Sequence, residues 1–340
     1  MAKKLTLESL AKRAGVGIAT VDRVLNERGG VSPDTTRKVL KAARELGIKR
    51  LLPEPYKHPW QIEVFLSSND SFFFKQLAHH FADIASALGY QRVTLHRTFI
   101  PESQPEKLAQ RIIDSSKIRD GLMVFAHDYP FIHDALRHCQ QTGTPVITLA
   151  TDLPAAARLC HVGVDQCQAG RTAGLLMSKS VHQPGDIIMV SGRFDYRAHR
   201  QRISGFRDVV SQRAPQSQLR EVLAGMDQRH TIRALLDDLL AESSHVVGIY
   251  NTGVGNSEIK EVLLRHQLLG KCVWITHELY SVTRRLLEHD AVSFTLDQNA
   301  RQHARLAIDI LLRHLESGFQ PVEYQDGNVA LKIITAENLD

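Results

Sequence analysis

Polar and aromatic side chains follow most of the short apolar runs in residues 61–340. The candidates are Asn69 with Phe73 and Phe74, His127, Asp152, Arg202, Thr252, His277 and Asp297. Carboxylate, amide and guanidinium groups hydrogen-bond to hydroxyl groups, and an aromatic ring packs against the C–H face of a sugar. The pattern therefore favours a site for a small sugar or polyol. Because further arginines lie close to Arg202, a sugar acid or sugar phosphate also fits the pattern.

Alternating strands and helices must position these side chains. Apolar runs predict strands at residues 62–66, 92–95, 121–125, 146–149, 162–164, 186–191, 246–250, 272–276 and 293–296. Amphipathic stretches predict helices between them, for example at residues 75–88, 131–142, 166–181, 200–213, 231–241 and 301–317. This alternation predicts an α/β fold with two doubly wound parallel sheets. Ligands of such sheets bind beyond the carboxyl ends of the strands, where the candidate residues fall.

Each candidate also has a purely structural interpretation. One of the rings of residues 72–74 must face the core, Asp165 can cap the following helix, and Arg202 can be a solvated helix charge. We expect no metal and no cofactor, because no His or Cys pair has metal-ligand spacing and no GxxxxGK[ST] phosphate loop is present. The four scattered cysteines are expected to be reduced thiols.

The first 50 residues predict three short helices and carry the chain's excess positive charge. They contain 12 Lys and Arg against 5 Asp and Glu, whereas the other 290 residues contain 30 against 32. Thr6 can cap the first helix, Gly15 can end it, and Ser32 with Pro33 can begin the third. Two short helices around a three-residue turn are typical of a helix-turn-helix, and the charge favours binding to nucleic acid.

The spacing Ala11-x-x-Ala14-Gly15-Val16-x-x-x-Thr20-Val21-x-Arg23-Val24-Leu25-Asn26 resembles the DNA-binding headpiece of the LacI/GalR family of transcription regulators. The resemblance implies that Ile18 and Ala19 enter the major groove, where apolar side chains read thymine methyl groups. It implies a base contact for Arg23 and contacts near the DNA backbone for Thr20 and Asn26. Thr6 and Asp22 complete the candidate DNA-binding residues. Gly17 and Asp22 depart from the family's usual Ser or Thr.

Residues 61 to about 335 resemble the type I periplasmic sugar-binding fold that LacI/GalR regulators use for their effectors. The matching stretches are Asn69-x-x-Phe72-Phe73, residues 145–149, His199-Arg200-x-Arg202-Ile203-x-Gly205-Phe206 and Asp297-Gln298. The resemblance places six candidates at or beside effector-contacting positions: Phe73, Phe74, Arg202, Thr252, His277 and Asp297. Two pairs depart from the pattern of ribose-type binders. Ala150-Thr151 replaces Asp-Arg, and His277-Glu278 replaces an Asp.

We therefore predict a headpiece at residues 1–50, a linker at 51–60 and an effector-binding and dimerisation domain at 61–340. Its first lobe would comprise about 61–164 and 298–322, and its second about 165–297 and 323–340. The resemblance implies a short hinge helix at residues 50–60, whose leucine inserts into the minor groove of DNA. Pro53, Pro55 and Pro59 make a regular helix there improbable. The segment is therefore expected to be a semi-rigid tether, or a shorter turn in which Leu51 or Leu52 takes the place of that leucine.

The expected function is a cytoplasmic, homodimeric transcription regulator, most simply a repressor, that binds a double-stranded DNA operator and a small effector. The chain shows neither a signal peptide nor an apolar run long enough to cross a membrane. Two alternatives stay open. One is an enzyme acting on a sugar or phosphosugar, which lacks an evident nucleophile–base pair. The other is an architectural DNA-binding protein with a degenerate pocket.

Overall fold

The computed structural model describes residues 6–26, 28, 30–46, 59–69, 71–89, 92–154, 156–191, 196–223, 228–243 and 245–339. The chain divides into two compact units, which we describe separately. One comprises Met1–Trp60 with Gly89–Thr94, and the other comprises Gln61–Leu88 with Leu95–Asp340. Residues 51–58 of the predicted linker at 51–60, with the question of its hinge helix, lie outside the described residues.

The first unit contains three helices: α1 (Leu7–Ala14), α2 (Ile18–Leu25) and α3 (Pro33–Glu45). Their apolar faces meet in one small core of Leu10, Ala11, Val21, Val24, Leu25, Val39, Leu40, Ala42 and Ala43. Gly15 ends α1 with φ 68°, a conformation that costs glycine little. The predicted three-residue turn and the start of α3 at Pro33 are confirmed.

The first sheet of the larger unit has the order β2-β1-β3-β4-β5. Its strands are β1 (Trp60–Ser67), β2 (Val93–Ile100), β3 (Gly121–Val124), β4 (Val146–Leu149) and β5 (Cys160–Val162). Its helices are α4 (Phe72–Leu88), α5 (Pro105–Ser116), α6 (Pro130–Gln141) and α12 (Ala300–Ser317). Because successive residues of a strand face opposite sides, Leu122 packs towards α5 and α6, whereas Gly121 faces Leu311 of α12.

The second sheet has the order β11-β10-β9-β8-β6-β7, with β11 antiparallel to β10. Its strands are β6 (Asp186–Ser191), β7 (Gln218–Leu223), β8 (Val246–Asn251), β9 (Val273–His277), β10 (Phe294–Asp297) and β11 (Lys332–Ile334). Its helices are α7 (Gln166–Ser180), α8 (Arg197–Arg213), α9 (Arg229–Glu242), α10 (Asn256–Arg265) and α11 (Ser281–Glu288). Trp274 and Phe206 centre the cores on its two faces.

The predicted two-sheet α/β architecture is therefore confirmed, with differences in detail. Strand β1 begins at Trp60 rather than at residue 62, because the Trp60 amide donates to the Arg92 carbonyl oxygen. Strands β7 and β11 were not predicted, since both lie at sheet edges and lack a long apolar run. Among the described residues, no helix is long and apolar enough to cross a membrane.

Three chain segments connect the two lobes: 163–165, 298–299 and the segment before β11. Two of them pair directly, since the Gly163 amide donates to the Gly327 carbonyl oxygen and the Val329 amide donates to that of Gly163. Glycine is required at position 327, because a Cβ atom there would lie 1.9 Å from the His161 carbonyl oxygen. The exact lobe boundaries stay predictions.

Candidate functional site

The headpiece begins with a capped helix. The Thr6 hydroxyl accepts a hydrogen bond from the Ser9 amide at 3.3 Å, and the Ser9 hydroxyl accepts one from the Thr6 amide at 3.2 Å. Arg13 in α1 forms a salt bridge of 2.9 Å with Glu45 in α3. These contacts hold the small core together at its edges. Helix α2 has no such side-chain cap, because Gly17 stands at its N-cap.

One face of α2 presents the predicted DNA-contacting residues. Ile18 is 46% exposed, and Ala19, Arg23 and Asn26 are exposed as well, while Thr20 is half-buried. An apolar start followed by a guanidinium suits a helix that reads thymine methyl groups and one further base or phosphate.

Asp22 does not leave its carboxylate bare on that face. One oxygen accepts from Asn26 Nδ2 at 2.7 Å, and the other accepts from Arg28 Nη1 at 3.0 Å. A carboxylate near a DNA phosphate is repulsive, and the partial neutralisation by Arg28 reduces this repulsion. The pair also fixes the orientation of Arg28 beside the end of α2.

A cavity of about 360 Å³ lies between the two lobes at the carboxyl ends of the strands. Five predicted effector-binding residues line it: Asn69, Phe73, Phe74, Arg202 and His277. At about 30 Å³ per water molecule, the volume holds roughly a dozen non-hydrogen atoms, which is the size of one monosaccharide. The predicted strand-end position of the site therefore coincides with this cavity.

Close packing of α7 against α8 brings Arg202 to the cavity wall. A Cβ atom at Gly170 would lie 2.1 Å from the Arg202 carbonyl oxygen, so only glycine permits this approach. Arg202 Nε donates to Gln166 Oε1 at 2.7 Å, and Nη1 donates to the Thr252 carbonyl oxygen at 2.8 Å. Burial lowers the pKa of Arg202. An arginine stays protonated even so, and the cavity wall therefore contains a buried positive charge.

His277 lies beside this charge at the end of β9. Its Nε2 lies 2.9 Å from the Tyr250 hydroxyl, and the ring is buried. Burial, followed by the charge of Arg202, lowers the pKa of His277 well below its ordinary value. His277 is therefore a neutral hydrogen-bonding group at physiological pH.

Glu278 follows His277 in the wall with an unusual backbone and an unusual charge state. Its φ of 66° is in the left-handed region, which is strained for a residue other than glycine. Burial, followed by the charge of Asp297, raises the pKa of Glu278 to about 8. The Gln298 Nε2 atom donates a hydrogen bond to its Oε1. At neutral pH this carboxyl group is mostly protonated.

Aromatic rings from both lobes enclose the cavity. Phe74 packs edge-on against Phe125 with ring centroids 4.4 Å apart. Phe72 of the first lobe contacts Tyr280 of the second at 5.4 Å. Flat apolar faces next to hydrogen-bonding groups suit the two-sided surface of a sugar ring.

Four predicted effector residues lie behind the wall or away from it. His127 stacks on Tyr196 with centroids 4.6 Å apart, so Tyr196 stands between it and the cavity. Thr252 contributes its carbonyl oxygen to Arg202 rather than a side chain to the wall, and its buried hydroxyl has no hydrogen-bond partner among the described residues. Asp297 accepts hydrogen bonds from the amides of Leu279 at 3.0 Å and Asn299 at 2.8 Å.

Asp152 is the fourth residue outside the cavity wall. It forms a salt bridge of 2.8 Å with Arg158 and accepts a hydrogen bond from the Tyr324 hydroxyl, also at 2.8 Å. These contacts place it in a second, smaller cavity of about 290 Å³ with His161. Its carboxylate is therefore committed to holding the crossover segment of Tyr324.

Several residues of the wall are not among the predicted effector contacts. They are Thr151, Tyr196, Glu278, Tyr280 and Gln298. Thr151, Glu278 and Gln298 each adjoin or belong to a strand-end pair that the sequence singles out, but sequence position does not show which neighbour faces inward. Tyr196 and Tyr280 are the residues before α8 and α11, and a tyrosine before a helix carries no distinct signal of ligand contact.

Within the described residues, no group of three or more His, Cys, Asp or Glu side chains is arranged to hold a metal ion.

Comparison with known proteins agrees with both parts of this arrangement. Residues 62–318 match the periplasmic binding protein domain family, and residues 6–50 match the lacI family of bacterial regulatory proteins. The sucrose operon repressor of Streptococcus mutans is 24% identical over 336 residues, which cover 95% of this chain and 96% of that repressor. The ribose operon repressor of Halalkalibacterium halodurans is 30% identical over 149 residues, which cover 42% of each chain.

A solved solute-binding protein of an ABC transporter from Burkholderia graminis, in complex with D-arabinose, shares the fold. Its TM-score is 0.73 at 19% identity, and the match covers 84% of this chain and 98% of that one. The helix-turn-helix of residues 6–26 and the two-lobed fold agree with both family matches. The chain therefore belongs to the lacI family of bacterial regulatory proteins, and a periplasmic-binding-protein-like domain follows its headpiece.

Proposed function

We propose that the protein is a cytoplasmic repressor that binds its operator as a homodimer and is controlled by a small sugar-like effector in the cavity between its lobes. One observation carries the proposal. The same chain joins a helix-turn-helix with an exposed apolar edge to a monosaccharide-sized cavity lined by rings and hydrogen-bonding groups. The relatives are named as repressors of sucrose and ribose operons, which supports a sugar-like effector.

The residues that we assign to DNA contact are Thr6, Ile18, Ala19, Thr20, Asp22, Arg23 and Asn26. A single headpiece reads one short half-site, and dimers of such modules read two half-sites about one helical turn apart. We therefore expect a near-palindromic operator.

The effector contacts that we assign are Asn69, Phe73, Phe74, Arg202 and His277 in the wall. His127, Thr252 and Asp297 act behind it as supports, and Asp152 holds the crossover segment of Tyr324. An effector controls DNA binding only by the difference in its affinity for two conformations of the regulator. Closure of the two lobes around the effector supplies such a difference.

The test begins with selection of duplexes from a random DNA library by the full-length protein. The selected duplex is then titrated with protein, with and without sugars, polyols, sugar acids and sugar phosphates. We expect a near-palindrome and one class of compound that changes its affinity at least tenfold, with a scrambled duplex as the control.

Recovery of no preferred sequence would refute a sequence-specific regulator. A preferred sequence whose affinity no compound changes would favour an architectural DNA-binding protein with a degenerate pocket. Chemical conversion of a sugar by the protein would instead favour an enzyme.

A further inference from the structure

The charge state of the cavity narrows the class of effector. Arg202 is only 3% exposed, yet both of its hydrogen-bond acceptors are neutral: the amide oxygen of Gln166 and the carbonyl oxygen of Thr252. Gln166 is itself held by Gln298, to which its Nε2 donates at 2.8 Å. Within the part of the chain that the structure describes, no salt bridge includes Arg202.

Two other enclosed arginines in the same unit, Arg158 and Arg119, are paired with carboxylates. The side chain of Arg158 is 5% exposed and forms salt bridges of 2.8 Å with both Asp152 and Glu323. Arg119, whose side chain is 18% exposed, forms one of 2.9 Å with Glu63. Removal of a charge from water costs several kcal/mol unless an opposite charge compensates for it. Arg202 therefore differs from Arg158 and Arg119, since it forms no salt bridge among the described residues.

The acidic residues in the cavity wall do not supply the missing charge. Glu278 carries a proton at neutral pH because burial and the Asp297 charge raise its pKa to about 8. Glu258 lies 4.0 Å from Arg229, another residue of the wall. Among the described residues, neither of these carboxyl groups forms a salt bridge with Arg202.

The cavity wall also contains a hydroxyl group that a polar ligand would satisfy. Thr151 is 5% exposed, and its buried hydroxyl has no hydrogen-bond partner among the described residues. A buried hydroxyl without a partner is costly, and an oxygen atom of a ligand would satisfy it. The cavity thus contains a buried cation without a salt bridge, Arg202, and a buried hydroxyl without a hydrogen-bond partner among the described residues, that of Thr151.

We propose that the effector is an anionic sugar derivative whose carboxylate or phosphate pairs with the guanidinium of Arg202. The planar guanidinium forms two parallel hydrogen bonds with either group. The rings of Phe74 and Phe125 pack against the carbon skeleton of the ligand. This inference rests on the proposed function, since it concerns the same cavity.

The experiment measures binding to the full-length protein by isothermal titration calorimetry, with matched sets of ligands. Each set contains a neutral sugar, its aldonic and uronic acids and its terminal phosphate ester: glucose with gluconate, glucuronate and glucose 6-phosphate, and the galactose, ribose and arabinose equivalents. The proposal expects one acid or ester to bind at least tenfold more tightly than its neutral parent. A comparison of the affinities of the acids and the phosphate ester within one set shows whether the cavity prefers carboxylate or phosphate.

Two variants test the role of the guanidinium. Arg202→Met should abolish the preference for the anion, and Arg202→Lys should keep part of it, because the ammonium group preserves the charge. Arg213→Met is the matched control, since it removes an exposed arginine from the end of the same helix and should leave the preference unchanged. Circular dichroism verifies that each variant is folded.

Three results would overturn the inference: a neutral parent that binds as tightly as its acids and ester, a preference that survives in Arg202→Met, or no binding by any acid or ester. DNA titrations separate this inference from the proposed function. If a neutral sugar alters the affinity for DNA, the hypothesis of an anionic effector is refuted, but the proposed regulator function is retained. If an acid binds without altering the affinity for DNA, anion binding is retained, but control of DNA binding by the effector is refuted.

Discussion

The substitution Gly170→Ala tests whether the contact between α7 and α8 positions the effector site. The added Cβ would lie 2.1 Å from the Arg202 carbonyl oxygen, whereas non-bonded heavy atoms prefer about 3.5–4.0 Å. The two helices must separate by roughly 1 Å or more. Overpacking of this kind costs about 1–3 kcal/mol, which lowers the melting temperature by about 2–4 °C per kcal/mol in a unit of this size.

The same displacement should weaken effector binding. Arg202 Nε donates to Gln166 Oε1 across the interface between α7 and α8, at 2.7 Å, so separation of the helices stretches that bond. We expect a lower melting temperature in differential scanning calorimetry and at least a tenfold loss of effector affinity. DNA binding without effector should be retained.

Gly17→Ala is the matched control for Gly170→Ala. An added Cβ at Gly17 has its nearest neighbour 4.0 Å away, and the φ of −73° suits alanine. Because Gly17 is the N-cap of α2 and alanine is a poorer N-cap than glycine, Gly17→Ala should lower the stability of the headpiece slightly and leave the effector affinity unchanged. If Gly170→Ala kept the wild-type melting temperature and effector affinity, the close approach of α7 and α8 would be refuted as the contact that positions Arg202.

Three further predictions concern the headpiece, the buried charges and the buried histidines. Arg23→Ala should weaken binding to the selected operator by about 1–3 kcal/mol in fluorescence anisotropy, and an equal loss on random DNA would make Arg23 a phosphate contact. Asp152→Asn should lower the free energy of unfolding by about 1–3 kcal/mol in urea titrations, because it removes one of the two carboxylates that pair with the buried Arg158 and leaves Glu323 as the other, and an unchanged free energy of unfolding would contradict this. Burial lowers the pKa values of His161 and His303 to about 4. Since unfolding restores their ordinary pKa, the protein should lose stability as pH falls from about 6.5 to 4, and His303→Gln should flatten that dependence in pH-dependent unfolding titrations.

Much of the fold could be read from the sequence because its signals are local. The N-cap at Thr6, the positive φ at Gly15 and the start of α3 at Pro33 follow from residue chemistry within a few positions. Strands β4 and β6 coincide with the predicted apolar runs. Edge strands β7 and β11 escaped prediction because one partner strand on one side suffices for them, so their sequences need no continuous apolar run.

The candidate site could be read only in part. Strand-end position indicated that Asn69 and His277 would lie at a cleft, and both line the cavity, since the carboxyl ends of β1 in the first sheet and β9 in the second face it. The strand-end position did not distinguish Asp297 from its neighbour Gln298. In the structure Asp297 accepts hydrogen bonds from backbone amides, whereas Gln298 lines the cavity. Side-chain direction at a strand end depends on backbone torsion there, as the positive φ of Glu278 illustrates.

The sequence by itself determined the class of the protein, because helix periodicity, capping residues and the concentration of basic charge in residues 1–50 are properties of neighbours along the chain. Tertiary structure alone decided which charges are compensated. Arg158 pairs with Glu323, 165 residues away along the chain, as well as with Asp152, whereas the buried Arg202 donates only to the neutral oxygens of Gln166 and Thr252 among the described residues. Burial and pairing arise between segments far apart in sequence, and for that reason the charge of the effector site emerged only from the folded chain.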